Sequence, residues 1–214
     1  VWVWLGDPWY LMLEDVRFHG VSTLDLKKEI LVAADILGWH SFAIRPAKYQ
    51  EKVLESCPEL RDLQIDCRIF PASCDFRADE RVPVLVWVSG ASSVWVDDEG
   101  AFFPVQNPRA DLPVVRGPLP ETADPEAMQP ILQGVTALVE LGLPADDLVY
   151  SPQRGLIWTD DAGRRVAFGV GSEMQPRWEV YQRLSSHLDR RGISPGVIDV
   201  RFPDGVTYAM ERVW

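Results

Sequence analysis

Residues 68–87, RIFPASCDFRADERVPVLVW, constrain the fold more than any other stretch, because they combine the end of one strand, a turn, a second strand and a proline-marked exit. Leu63, Ile65, Cys67 and Ile69 alternate with Gln64, Asp66 and Arg68, the period-2 pattern of a strand with one buried face. Phe70-Pro71-Ala72-Ser73 then turns the chain. Cys74, Phe76 and Ala78 alternate with Asp75, Arg77 and Asp79, so the second strand lays its apolar face beside the first. Glu80-Arg81-Val82-Pro83 closes the hairpin. Pro83 cannot donate to a ladder, so it marks an edge or a crossing into a second sheet, where Val84 to Trp87 continues as a strand.

Upstream, the pattern reads strand, helix, helix, strand, strand. Leu13 to Phe18 is a short strand closed by His19-Gly20, with Ser22 or Thr23 as a helix N-cap. Leu26, Ile30, Ala33, Ala34 and Leu37 recur at helical spacing until Gly38 stops the helix. A second helix starts near Pro46, presents Tyr49, Val53 and Leu54, and ends before Pro58. Two helices on one face of a three-stranded sheet make an α+β unit.

Downstream, strands dominate. Asp97-Asp98-Glu99-Gly100 and Asp160-Asp161-Ala162-Gly163 are hairpin turns, the second joining Leu156-Ile157-Trp158 to Val166-Ala167-Phe168. Asn107 to Pro120 is an ordered, proline-rich connection. A helix capped at Asp124 places Met128, Ile131, Leu132, Val135, Leu138 and Val139 on one face, with Pro130 loosening its first turns. A last helix, Gln175 to Arg190, offers Trp178, Tyr181, Leu184 and Leu188 to the sheet. Strand Val197 to Phe202, a turn at Pro203-Asp204-Gly205 and strand Val206 to Met210 finish the unit.

The chain has 214 residues, 47% hydrophobic content and 25% charged content, ordinary for a soluble globular body of two compact units. A net charge of -11 without any basic cluster argues against nucleic acid, which needs concentrated Lys and Arg, and against anionic headgroups. Cys57, Cys67 and Cys74 form no CxxC pair. Cys67 and Cys74 lie on the apolar faces of paired strands, either as buried small hydrophobes or as a disulfide. Val1-Trp2-Val3-Trp4-Leu5 followed by Gly6-Asp7-Pro8-Trp9-Tyr10 reads either as the last turn of a membrane helix with interfacial aromatics or as a hydrophobic lead-in to the first strand. Five apolar residues are too few for a span, which takes about 20.

No constellation for catalysis emerges. His19, His40 and His187 are dispersed, lack HExxH spacing and read as surface or capping residues. Gly169-Val170-Gly171 lacks the third glycine of a dinucleotide loop. Asp97-Asp98, Asp146-Asp147 and Asp160-Asp161 sit in turns or helix flanks, where Asp is favoured for backbone reasons rather than as a glycosidase pair. Nine tryptophans include Trp87, Trp95 and Trp158 in strands, read as core residues rather than sugar-stacking platforms. No metal or cofactor is expected.

Three ordered segments carry a resemblance: Arg68-x-Phe70-Pro71 with Glu80-Arg81-x-Pro83-Val84, the hairpin Trp95 to Pro104, and Ile198-Asp199-Val200-Arg201-Phe202-Pro203-Asp204-Gly205-Val206. From about Val16 to Tyr208 the order of elements resembles the bacterial cell division family FtsQ/DivIB. That resemblance implies an α+β fold in which 1–12 end a membrane anchor and juxtamembrane segment, 13–82 form a POTRA-like β-α-α-β-β domain, and 83–214 form an FtsQ/DivIB-type mixed, mainly antiparallel β domain with flanking helices. It implies a single-pass protein of the bacterial cytoplasmic membrane with its body outside, enriched at the septum. It also implies a non-enzymatic scaffold that recruits FtsB/DivIC- and FtsL-like partners by β-strand addition and links them to septal peptidoglycan synthesis proteins.

Carried over by motif, the partner-binding residues are Asp199, Val200, Arg201, Phe202, Asp204, Gly205, Val206, Thr207 and Tyr208. The physical reading beside it is that a last strand without a successor leaves a free edge, where main-chain hydrogen bonds give affinity. Phe202 reads equally as a core residue, and Met210 after Tyr208 departs from the family's aromatic pattern. The runner-up functions are a POTRA-bearing chaperone or translocation component and an extracytoplasmic enzyme; the first lacks tandem POTRA units and barrel strands.

Overall fold

A computed structural model describes residues 8–106, 109–120, 125–144, 146 and 148–211. The chain divides into two compact units, Val1–Arg81 and Val82–Trp214. Among the described residues there are four α-helices, a three-stranded sheet and a large mixed sheet, an α+β architecture.

In the first unit, β1 (Val16–His19) is followed by α1 (Leu24–Ala34), α2 (Pro46–Ser56), β2 (Leu60–Arg68) and β3 (Ser73–Glu80). The sheet order is β1-β3-β2, with β1 parallel and β2 antiparallel to the central β3. Leu26, Ile30 and Ala34 of α1 and Val53 of α2 meet Leu63, Ile65, Cys74 and Phe76 in one core. Alternate residues Gln64 and Arg77 are left exposed. The two-residue period of the hairpin and the helical period of the stripe therefore converge on the same interior.

Two boundaries and one cysteine pair differ from expectation. The segment Leu13–Asp15 is a 3-10 turn rather than strand, because the Asp15 carboxylate accepts the Met12 N–H at 3.1 Å and the Asp15 N–H donates back to Met12 O at 3.1 Å. Helix α1, capped by Thr23 Oγ1 accepting the Leu26 N–H, ends before Gly38. Asp35 takes the left-handed conformation there (φ 52°), one that Asp tolerates better than most residues, and Leu37 falls outside the helix. Cys67 and Cys74 face each other across β2 and β3 and form a disulfide, so the simple burial reading gives way to the covalent one. Cys57 is free and buried, and burial, with Glu59 and Glu29 nearby, pushes its thiol up to about 11.

In the second unit, β4 (Pro83–Ser89), β5 (Ser92–Asp97), β6 (Phe102–Pro104) and β7 (Val114–Arg116) precede α3 (Pro125–Glu140). Then come β8 (Leu148–Ser151), β9 (Gly155–Thr159), β10 (Arg165–Gly169), α4 (Met174–Arg190), β11 (Val197–Asp199) and β12 (Thr207–Ala209). The nine strands are ordered β12-β11-β10-β9-β8-β7-β4-β5-β6. Pairs β4–β7, β7–β8 and β10–β11 are parallel and the rest antiparallel. Met128, Ile131, Leu132, Val135 and Leu138 of α3 and Tyr181 and Leu188 of α4 pack with Trp87, Val115, Leu148, Phe168 and Ile198 of the sheet. Trp95, Phe103 and Leu112 form a small separate cluster.

The three strand tryptophans Trp87, Trp95 and Trp158 are all buried. Trp87 Nε1 also donates to Gly117 O at 3.1 Å, which satisfies its buried donor. The parallel strands β7 and β8 add to the expected set. Pro130 sits inside α3 without ending it, and Asp124 lies outside the described residues. The expected strand Val197 to Phe202 stops at Asp199.

Candidate functional site

The acidic pairs resolve into turn chemistry. Asp97 is buried and its Oδ1 accepts the N–H groups of Glu99 (3.0 Å) and Ala101 (2.8 Å), while Gly100 takes φ 88° in the turn. Asp160 Oδ1 accepts Ala162 N–H and Arg164 N–H, and its Oδ2 accepts Arg164 Nε at 2.6 Å and the Tyr181 hydroxyl at 2.7 Å. Burial raises the Asp160 carboxyl, but these donors outweigh it and hold it below the ordinary carboxylate range. The same burial and the Asp160 charge push the Tyr181 hydroxyl upward. Such a group ties α4 to the β9–β10 turn. Asp147 lies outside the described residues. Among the described residues no group of three or more His, Cys, Asp or Glu is placed to hold a metal ion.

The motif residues at the end of the chain gather instead at one edge of the large sheet. β11 runs parallel to β10 in the register Arg165↔Val197 and Ala167↔Asp199, and antiparallel to β12 in the register Val197↔Ala209, Ile198↔Tyr208 and Asp199↔Thr207. Arg165 N–H donates to Gly196 O and Val200 N–H donates to Ala167 O, each at 3.0 Å. The Gly196 carbonyl and the Val200 N–H therefore face β10, with Ile198 between them, while the Gly196 N–H donates to Ala209 O at 2.9 Å and so shows Ala209 turned toward β11. Because successive residues of a strand direct these groups to opposite sides, Val197 and Asp199 face β12 and meet Ala209 and Thr207. The N–H and C=O of Tyr208 then point to the outer side. Among the described residues no strand pairs there.

The opposite edge is built differently. Strand β6 spans only Phe102–Pro104, and Pro104 carries no donor, so that edge is blunted. Strand β12 has no proline, and Thr207, Tyr208 and Ala209 are all exposed.

Asp199 and Arg201 lock the bend beyond β11. Asp199 accepts Arg201 N–H (3.2 Å), Nε (2.9 Å) and Nη2 (2.7 Å), and Arg154 Nη1 at 3.2 Å. Arg201 Nη1 also donates to Gln153 O at 2.9 Å, reaching the β8–β9 turn. Burial would raise the Asp199 carboxyl, yet the Arg201 hydrogen bonds and the two positive charges hold it below the ordinary range, and hydrogen bonding to the Asp199 carboxylate raises Arg201 in turn. Beside this clamp is a cleft of about 310 Å³ whose walls include Tyr150, Arg177, Arg201 and Phe202.

The sequence-derived residues thus separate by role. Val200 is fully buried, so its side chain belongs to the core and not to a contact surface. Phe202 is 67% exposed rather than a core residue, with the Arg201 guanidinium 5.7 Å from its ring centre. Asp204 and Gly205 lie in a 3-10 turn, Pro203–Gly205, and a Cβ on Gly205 would meet nothing within 4 Å. Val206 packs against the main core, while Tyr208 and Met210 are exposed. Arg154 and Gln153 belong to the site although sequence reasoning missed them. They are 45 or more residues from their partners, and no local pattern joins them.

Residues 85–201 match the sequence-family model described as cell division protein FtsQ/DivIB, C-terminal. The match covers more than half of the chain, and the chain belongs to the FtsQ/DivIB family. Membership supports a role in cell division, within the division complex at the membrane. No curated protein matches the chain. Among the described residues no helix is long and apolar enough to cross a membrane; Val1–Asp7 lie outside them.

Proposed function

We propose that this FtsQ/DivIB-family protein is a non-enzymatic, membrane-anchored extracytoplasmic scaffold of the bacterial division machinery. Its first unit is a POTRA-like domain, supported by the β-α-α-β-β order with β3 central. Its second unit recruits FtsB/DivIC- and FtsL-like partners and links them to septal peptidoglycan synthesis. The observation that carries this reading is the outward-facing backbone of Tyr208 on the side of β12 where, among the described residues, no strand pairs. A partner strand added there gains main-chain hydrogen bonds, and the exposed Phe202, Tyr208 and Met210 supply side-chain contacts. The anchor itself is the apolar run that Val1–Leu5 ends.

Tyr208→Pro tests the mechanism, because it deletes the outward donor. Affinity for an FtsB- or DivIC-like peptide falls at least tenfold in a variant whose circular dichroism matches the parent, whereas Tyr208→Phe binds within about twofold. Unchanged binding by folded Tyr208→Pro refutes strand addition at this edge.

A further inference from the structure

The first unit carries an exposed aromatic surface that partner recruitment by β12 does not use. Trp9, Tyr10, Phe42 and Phe70 are 38%, 42%, 67% and 60% exposed. They are nonetheless ordered against one another: Trp9 lies 4.8 Å from Phe70, 5.8 Å from Phe42 and 6.0 Å from His40, measured between ring centres, and Tyr10 lies edge-on to His40 at 5.2 Å. The backbone beneath is pinned. Pro8 O accepts the Ala72 N–H, Trp9 O accepts the Ser41 N–H, and Leu11, which is fully buried, exchanges bonds with Trp39 O and the Gly38 N–H. The aromatic side chains are thus held on hydrogen-bonded backbone while each stays more than a third exposed.

We propose that this surface is a seat for the interfacial layer of the bilayer, which holds the first unit flat against the membrane that anchors it. This inference rests on the membrane-anchored reading above. Trp and Tyr are the residues enriched at the headgroup level, where an apolar ring and a polar tip are both satisfied, and two of the five rings are these. The apolar run Val1–Leu5 ends four residues before Trp9, a fully extended reach of about 14 Å. The headgroup zone borders the hydrocarbon where such a run ends, and a four-residue link is long enough to let the surface lie back against that zone. The chain's net charge is -11, so the surface favours zwitterionic over anionic lipid.

The test is flotation of the 214-residue chain with phosphatidylcholine vesicles. In a parent variant with Val1, Trp2, Val3, Trp4 and Leu5 all replaced by Ser, vesicle binding weakens but persists. Adding Phe42→Ser and Phe70→Ser to that parent lowers the remaining binding at least tenfold. Should those two changes disturb folding, Trp9→Phe in the same parent provides the second readout. It keeps an aromatic ring in the stack and removes the Trp9 share of the emission that brominated phosphatidylcholine quenches, so quenching should fall relative to the parent. The seat is overturned if the parent shows no binding and no quenching, or if the surface mediates self-association or protein capture while leaving vesicle binding unaltered. Full-strength binding by the Ser parent would instead count against the anchor and leave the seat standing.

Discussion

Ile198 lies directly opposite Tyr208 across β11 and β12, yet Ile198 is fully buried while Tyr208 is 48% exposed. The sheet passes from core to rim in a single step of its ladder. Ile198 packs with the α3 and α4 residues of the main core and turns its polar backbone to β10, so its side chain and main chain are both committed to the fold. Tyr208 commits neither in the same degree. Strand and partner surface can therefore be perturbed separately at neighbouring positions.

Thr207→Pro and Tyr208→Pro are expected to differ in stability although both restrict the same strand. Thr207 faces Asp199 and its N–H belongs to the β11–β12 pair, so its loss costs about 1 kcal/mol more than the loss of the outward Tyr208 donor. Urea denaturation of the two variants measures the difference directly, and equal midpoints would mean that the alternation of backbone groups along β12 is misassigned.

Asp199→Asn is expected to destabilise the second unit by about 2 kcal/mol at neutral pH, because it removes a charge that Arg201 and Arg154 both engage. The native carboxyl titrates below its unfolded counterpart, so the native state binds fewer protons. Its contribution is complete above the ordinary carboxylate range and is lost as pH falls through the lowered native value. Denaturation midpoints of parent and variant should therefore converge in acid and separate on the way to neutrality.

Tyr181→Phe deletes the hydroxyl that Asp160 accepts and is expected to cost about 1–2 kcal/mol. The raised Tyr181 ionisation means that the native state holds this proton more tightly than the unfolded chain. Stability from this source is present at neutrality and falls as pH rises beyond the ordinary tyrosine value, so the variant should lose less stability in alkali than the parent. Thermal melts across the alkaline range supply that comparison.

Reduction of Cys67–Cys74, or its replacement by two Ser residues, is expected to cost on the order of 2 kcal/mol, since it opens a short hairpin loop. The bond lies inside the unit Val1–Arg81, and each unit has its own core. Calorimetry should show two transitions, of which reduction lowers one and leaves the other in place.

The hairpin of β2 and β3, both helices of the first unit, and the turns at Gly100 and Gly163 were legible because period and turn chemistry are local properties. β7 and β8 were not. Val114–Arg116 is three residues long within a proline-rich run, and both strands owe their existence to parallel neighbours far away in sequence. The end of β11 was misplaced for a related reason. Val200 and Phe202 continue an apolar alternation, but the Asp199 clamp on Arg201 bends the chain and turns Phe202 outward. The edge itself was anticipated from the order of elements, whereas the identity of Tyr208 as the outward residue follows from the β10–β11 register, which no local pattern encodes.

A partner that adds a strand to β12 through main-chain hydrogen bonds covers the outward amide, so amide hydrogen exchange at Tyr208 decides whether the strand is added there. In the free protein this N–H should exchange rapidly, unlike the amide of Val200, which is bonded to Ala167 O. On addition of an FtsB- or DivIC-like peptide, exchange at Tyr208 should slow at least tenfold while Thr207, already facing β11, changes far less. Exchange at Tyr208 that stays unaltered while the peptide is bound would rule out strand addition at β12.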